Sequence, residues 1–169
     1  MRFVVGFANI RNEPGAVLVR QYSEQARLTV LVADDFEPWR NYACSALKNC
    51  DGAYSVHETA DGLETVQKAH ELQPDIILLD ISIPKMNGIA AAREIRSKCP
   101  KSKILFVSED RSLDVVREAL STGARGYVVK SDGAELLAAV DAVRQGRFFV
   151  SKNLAKYSMV AADLDLNAR

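Results

Sequence analysis

Residues 75–88 read DIILLDISIPKMNG: four consecutive apolar residues, Ile76 to Leu79, closed by Asp80 and followed by a loop carrying Pro84 and Gly88. A run this short and this uniformly apolar suits a parallel strand covered by helices on both faces, because a strand with one face in water would alternate apolar and polar residues. The flanking sequence repeats the pattern. Strand-like segments LTVLVA (28–33), AYSVHE (53–58), KILFVS (103–108) and GYVVK (126–130) alternate with helical segments at 36–48, 62–72, 88–98, 113–121 and 133–145. Leu136, Leu137, Val140 and Val143 recur at helical spacing, as do Val115, Val116, Ala119 and Leu120, and both sets are assigned to the core. Asp61-Gly62, Asn87-Gly88, Thr122-Gly123 and Asp132-Gly133 supply turns and helix caps between the segments. The expected fold is therefore α/β, a doubly wound five-stranded parallel sheet flanked by helices.

Composition narrows the function. With 169 residues, 48% hydrophobic and 26% charged, the chain matches one soluble domain. Lys and Arg total 22, as do Asp and Glu, so the formal net charge of zero gives no electrostatic footprint for unaided binding to nucleic acid or an acidic membrane. No apolar stretch approaches the roughly 20 residues of a membrane-spanning helix. Residues 1–10 lack the apolar core and cleavage site of a secretory signal. Cys44, Cys50 and Cys99 are an odd count without C-x-x-C spacing, which suits small hydrophobes in a reducing compartment. A cytoplasmic location is expected.

In open α/β sheets, ligands gather outside the carboxyl ends of the strands. There the first strand ends in Asp34-Asp35, the third in Asp80, the fourth in Ser108 and the fifth in Lys130. Taken singly, Asp34 or Asp80 reads as a turn cap, Ser108 as a loop hydroxyl and Lys130 as a solvated charge. Together they form a set that capping does not explain. Like charges ~4 Å apart repel by roughly 4 kcal/mol at an effective dielectric of about 20, so the three carboxylates need relief. Either one of them keeps its proton, or a hard divalent cation binds through oxygen, for which Mg²⁺ is the favoured candidate. With such an ion bound, Asp80 could act as a nucleophile toward a phosphoryl group. Ser108 would then donate a hydrogen bond to one phosphoryl oxygen and Lys130 would neutralise another, roles that arise once Asp80 is modified.

Asp34-Asp35, Asp80 within LLDISIPKMNG, Ser108 within ILFVSED and Lys130 within GYVVKSDG resemble the receiver domain of two-component response regulators. That resemblance implies a flavodoxin-like sheet with strand order 2-1-3-4-5. It implies that Asp80 accepts a phosphoryl group from a sensor histidine kinase, that Asp35, Asp80 and the Ser82 backbone carbonyl ligate Mg²⁺, and that Asp34 assists. Tyr127 matches the aromatic that changes rotamer together with Ser108 on activation, whereas a bland reading leaves it a half-buried strand residue with its hydroxyl in water. The face built from the fourth helix, fifth strand and fifth helix would meet a partner or form a homodimer. Two departures stand out. Ser131 follows Lys130 where many receivers carry proline, and the bulky, acidic Glu109 sits where a small residue is common, which bears on phosphorylation rate and phosphoryl lifetime.

KSDGAELLAAVDAVRQG with GRFFVS is similar to receivers of NarL/LuxR-type transcription regulators. The expected division is an N-terminal extension of unassigned role at 1–27, a receiver at 28–146, and a C-terminal linker or short helix at 147–169. In that last segment Phe148, Phe149, Leu154, Tyr157 and Met159 could pack together. It carries no helix-turn-helix pattern, so neither an effector domain nor direct DNA binding by this chain is expected. The function expected is a phosphorylation-dependent switch and not a classical enzyme, with a degenerate receiver acting only as an interaction module as the alternative. A haloacid-dehalogenase-like phosphatase would place its nucleophile on the first strand, and a flavodoxin-like carrier would not set ADDFEP beside a flavin phosphate. His57 and His70 recur at no ligand spacing.

Overall fold

The computed structural model describes residues 27–50 and 53–157. Apart from Arg27, the expected N-terminal extension lies outside the described residues, as does Met159. The chain runs β1 (Leu28–Ala33), α1 (Glu37–Lys48), β2 (Tyr54–Thr59), α2 (Gly62–Leu72), β3 (Ile76–Leu79), α3 (Gly88–Lys98), β4 (Lys103–Ser108), α4 (Leu113–Ser121), β5 (Gly126–Val129), α5 (Leu136–Arg144) and β6 (Phe149–Val150).

All strand pairs are parallel, in the order β2-β1-β3-β4-β5-β6. The pleat explains the uniformly apolar strands, since neighbours along a strand enter opposite layers. Leu31, Ile77, Leu79, Phe106 and Val129 face α2, α3 and α4, meeting Val66, Ile95 and Val116. Val30, Val32, Ile76, Leu78 and Val107 face α1 and α5, meeting Leu47, Leu136 and Val140. All four residues of β3 are buried, each worth roughly 1.5–3 kcal/mol of burial. Helix starts follow local chemistry. The Asp61 carboxylate accepts from the Glu64 amide at 2.8 Å, and the Asn87 side-chain oxygen accepts from the Ala90 amide at 2.8 Å.

The sheet has six strands where the sequence suggested five. Gly126 makes room for the addition, because a Cβ there would stand 2.4 Å from the Phe149 carbonyl oxygen. Phe149–Val150 then adds to the β5 edge, and a 3-10 helix at Lys152–Tyr157 buries Leu154 against the core. The segment 147–169, expected as a linker or short helix, thus includes a strand and a 3-10 helix. The fifth helix also starts later than its pattern suggested. Lys130–Glu135 forms 3-10 turns broken at Asp132 (φ −99°, ψ 36°), with the Tyr42 hydroxyl bonded to the Gly133 carbonyl at 3.0 Å. Leu136 consequently takes the core position, and Leu137, expected inside, is 42% exposed. Among the described residues no helix is long and apolar enough to cross a membrane.

Candidate functional site

The parallel sheet delivers Asp34 and Asp35 from the end of β1, Asp80 from β3, Ser108 from β4 and Lys130 from β5 to one edge. One carboxylate oxygen from each of Asp34, Asp35 and Asp80 lies within 4.8 Å of the others. Asp34 and Asp80 are buried and Asp35 is exposed. Their backbones are locked: the Asp34 amide donates to the Thr59 carbonyl at 3.1 Å, and the Asp80 amide to the Ala33 carbonyl at 2.9 Å. The Arg40 guanidinium holds the Asp34 carbonyl at 2.6 Å, and the Phe36 amide donates to Asp34 Oδ1 at 3.0 Å. After Asp80 the loop folds back through a hydrogen bond from the Gly88 amide to the Ile81 carbonyl at 2.9 Å. Only glycine fits there, since a Cβ on residue 88 would lie 2.1 Å from the Asp80 carbonyl oxygen.

Lys130 Nζ stands 2.7 Å from Asp34 Oδ2 and 3.3 Å from Asp80 Oδ1, with its side chain 7% exposed. The ammonium therefore already offsets two of the three acids before any phosphoryl group arrives, which revises the expectation that its role begins with modification of Asp80. Burial still dominates. It pushes the Asp80 carboxyl up to about 6 against the pull of Lys130, with Asp34 adding to the rise, and it raises Asp34 in the same way. Asp34 Oδ2 meets Lys130 as an ion pair whose angles miss hydrogen-bond geometry, so this buried oxygen has unused acceptor capacity. A cluster of carboxylate oxygens with such capacity fits a hard divalent cation.

Ser108 is buried, and its hydroxyl accepts from the Asp110 amide at 3.1 Å. Tyr127 is fully buried, and its hydroxyl donates to the Asp110 carbonyl at 2.8 Å. That corrects the half-buried reading: the ring lies inside, and burial pushes its phenol up to about 12. The Asp110 carboxylate accepts from the Ser112 amide at 2.7 Å, which spends its charge on the start of α4. Glu109 is exposed next to Ser108, and Ser82 is exposed in the loop after Asp80. No cis peptide occurs among the described residues. His57 pairs with Ser55, and the three cysteines are free thiols.

Two contributors were missed in the sequence. The Trp39 ring lies under Lys130, with Nζ 5.4 Å from the ring centroid. Ser151 brackets β5, its amide donating to the Tyr127 carbonyl at 3.0 Å and its hydroxyl accepting from the Val129 amide at 3.0 Å. Trp39 reads in sequence as helix packing and Ser151 as a linker residue, and no spacing rule marks either.

Residues 30–141 match the family model of the response regulator receiver domain. The chain is similar to response regulator GacA of Pseudomonas viridiflava, 32% identical over 130 residues, covering 76% of this chain and 61% of that protein. It is also similar to response regulator protein VraR of Staphylococcus aureus, 36% identical over 118 residues, covering 70% of this chain and 56% of that protein. Among solved structures, a LuxR-family two-component response regulator from Aurantimonas sp. SI85-9A1 superposes with a TM-score of 0.72 at 32% identity, covering 78% of this chain and 94% of that one. The chain thus spans roughly three fifths of the length of the curated relatives it matches, 61% and 56%.

Proposed function

This chain belongs to the response regulator receiver family, a module of phosphorylation-dependent two-component signalling and not a classical enzyme, and from that premise we propose that Asp80 is its phosphoacceptor. The observation that carries the reading is a buried Asp80 clustered with Asp34 and Asp35, with Lys130 3.3 Å away. With its carboxyl held at about 6, Asp80 is mostly ionised at neutral pH yet poorly solvated, a suitable state for a nucleophile. A carboxylate oxygen attacks phosphorus, the P–N bond to the histidine of a sensor kinase breaks, and the electron pair leaves with the imidazole. Acetyl phosphate would serve as a small donor by loss of acetate.

Asp35, Asp80 and the Ser82 carbonyl would hold Mg²⁺, with Asp34 assisting through its unused oxygen. When bound, the ion supplies charge stabilisation for the transferring oxygens. Lys130 then moves its ammonium from the Asp80 carboxylate to a phosphoryl oxygen, and Ser108 turns its hydroxyl hydrogen toward another. Tyr127 is already inside, so its part is to hold the loop of Ser108–Ser112 in place through the Asp110 carbonyl. Glu109, exposed beside Ser108, sets a negative charge near the donor's approach and slows transfer. A sensor histidine kinase as donor, a cytoplasmic location and a place as the receiver portion of a transcription regulator complete the proposal, with residues 28–146 as the receiver and 147–169 as a C-terminal linker that begins by adding β6 to its sheet.

Intact mass after incubation with Mg²⁺ and acetyl phosphate tests this, on wild type and Asp80→Asn with a chelator control. One phosphoryl mass on wild type alone is expected. No adduct under fast quench, or an adduct on the Asn variant at the wild-type rate, overturns it and leaves a degenerate interaction module.

A further inference from the structure

We propose that Trp39 is a positioning residue for Lys130, its indole face forming the wall that holds the ammonium over the Asp34–Asp80 pair. The proposal rests on the reading of Asp80 as phosphoacceptor and adds a residue from α1 to that site. The ammonium lies 5.4 Å from the ring centroid, inside the roughly 6 Å over which a cation is attracted to an aromatic face. Its other neighbours are Asp34 Oδ2 at 2.7 Å and Asp80 Oδ1 at 3.3 Å. Two carboxylates and one π-face thus surround a charge whose side chain is only 7% exposed. Such enclosure strengthens both the ion pairs and the ring contact by keeping water away.

The ring is held at a cost that points to its face as the useful part. Its Nε1 is buried with no hydrogen-bond partner among the described residues. Leu or Phe would fill the apolar space against the core of the α1 and α5 layer without burying an unpaired N–H. Trp has the strongest face of the aromatic side chains for a cation, and helix α1 sets it at the carboxyl end of the sheet, where Lys130 arrives from β5. Lys130 has to follow the negative charge from the Asp80 carboxylate to the phosphoryl group over a short distance. A ring beneath it keeps the ammonium from swinging out to solvent at that moment.

Trp39 is the single tryptophan of the chain, so its fluorescence reports this contact without background. Trp39→Leu and Trp39→Phe are compared in two ways. First, the Lys130 Cε protons are followed by NMR without any phosphodonor. They should be displaced by the ring current in wild type, largely so in the Phe variant, and not in the Leu variant. Second, the rate of adduct formation from acetyl phosphate should fall about fivefold in the Leu variant and be mostly restored in the Phe variant, a factor equal to about 1 kcal/mol at 1.4 kcal/mol per tenfold. Unchanged Lys130 signals in the Leu variant overturn the proposal, as does a Phe variant that falls as far as Leu, because packing alone then explains the loss. Should either variant fail to fold, Lys130→Met in the Trp39 background decides, and an unaltered emission spectrum overturns the contact. A wild type that takes up no phosphoryl group refutes the phosphoacceptor reading, while the NMR comparison still decides whether Trp39 positions Lys130.

Discussion

Asp80→Asn should make the metal-free domain more stable at neutral pH, because burial lifts the Asp80 carboxyl from 3.8 to about 6. That is a rise of roughly two units at about 1.4 kcal/mol each, so the ionised form costs the folded state roughly 3 kcal/mol. The side chain is only 4% exposed, and solvent screening takes little from this figure. The folded value lies above the unfolded one, so folding binds the proton more tightly. The contribution of Asp80 to stability is present in full below about pH 4 and is lost as pH climbs through about 6. Asn keeps the shape without the charge, and Lys130 retains Asp34 at 2.7 Å, so no ammonium is left alone. Urea unfolding in the presence of a chelator is the assay. At pH 8 the variant's midpoint should rise by ~1–2 M, from about 3 kcal/mol over a slope of roughly 2 kcal/mol per M. Near pH 4 the two proteins should coincide. Adding Mg²⁺ should recover stability in wild type far more than in the variant. A variant no more stable than wild type at pH 8, or a gap that does not change with pH, refutes the reasoning.

Gly88→Ala should destabilise by about 2–3 kcal/mol in urea unfolding, since its Cβ would stand 2.1 Å from the Asp80 carbonyl oxygen and one of the two backbones must move. The same variant should weaken Mg²⁺ binding followed by Trp39 fluorescence, because the displaced backbone carries Asp80. Ser151→Ala should cost roughly 1–3 kcal/mol, as the buried Val129 amide loses its acceptor, and hydrogen exchange at Val129 should accelerate while β1 and β3 amides keep their protection.

Most of the sheet and all four pocket-forming strand ends were legible because each signal is local. Ile76–Leu79 had to be central, since a run with no polar member has no face to give to water. Asp80 had to stand at its end, since the apolar run stops there. The missed features depend on contacts distant in sequence. Phe149–Val150 is two residues long and carries no alternation to read, and its strand state comes from the gap that Gly126 leaves at the β5 edge. Leu137 follows helical spacing, yet the 3-10 turns after Lys130 rotate the start of α5 and pass the inward position to Leu136. Those turns are held by contacts distant in sequence, the Tyr42 hydroxyl on the Gly133 carbonyl and Asn153 on the Asp132 carboxylate, which helical spacing does not encode. The structure brings Asp34, Asp35, Asp80 and Lys130 together, in resting relations that the sequence did not show. Repulsion among three acids was foreseeable, whereas Lys130 relieving it in advance needed the 2.7 Å and 3.3 Å distances.

The strand added after α5 also changes how a signal could leave the pocket. Strand β5 runs from Gly126 to Val129, directly before Lys130, and belongs to the helix four, strand five and helix five face expected to meet a partner or a second copy. Its outer edge is occupied in cis: Phe149 and Val150 pair with Gly126 and Tyr127, Ser151 holds Tyr127 and Val129, and Asn153 bonds the Asp132 carboxylate at 3.0 Å. Freeing it would sacrifice the two Ser151 hydrogen bonds, about 1 kcal/mol each, and the burial of Leu154, about 2 kcal/mol. The total of about 4 kcal/mol exceeds the roughly 1–3 kcal/mol with which one site usually biases another. A phosphoryl group on Asp80 is therefore too weak a lever to bare β5 by itself. Edge-to-edge pairing of two copies through β5 would first require β6 to leave, and β6 with Ser151 stays bonded to the strand that leads into Lys130.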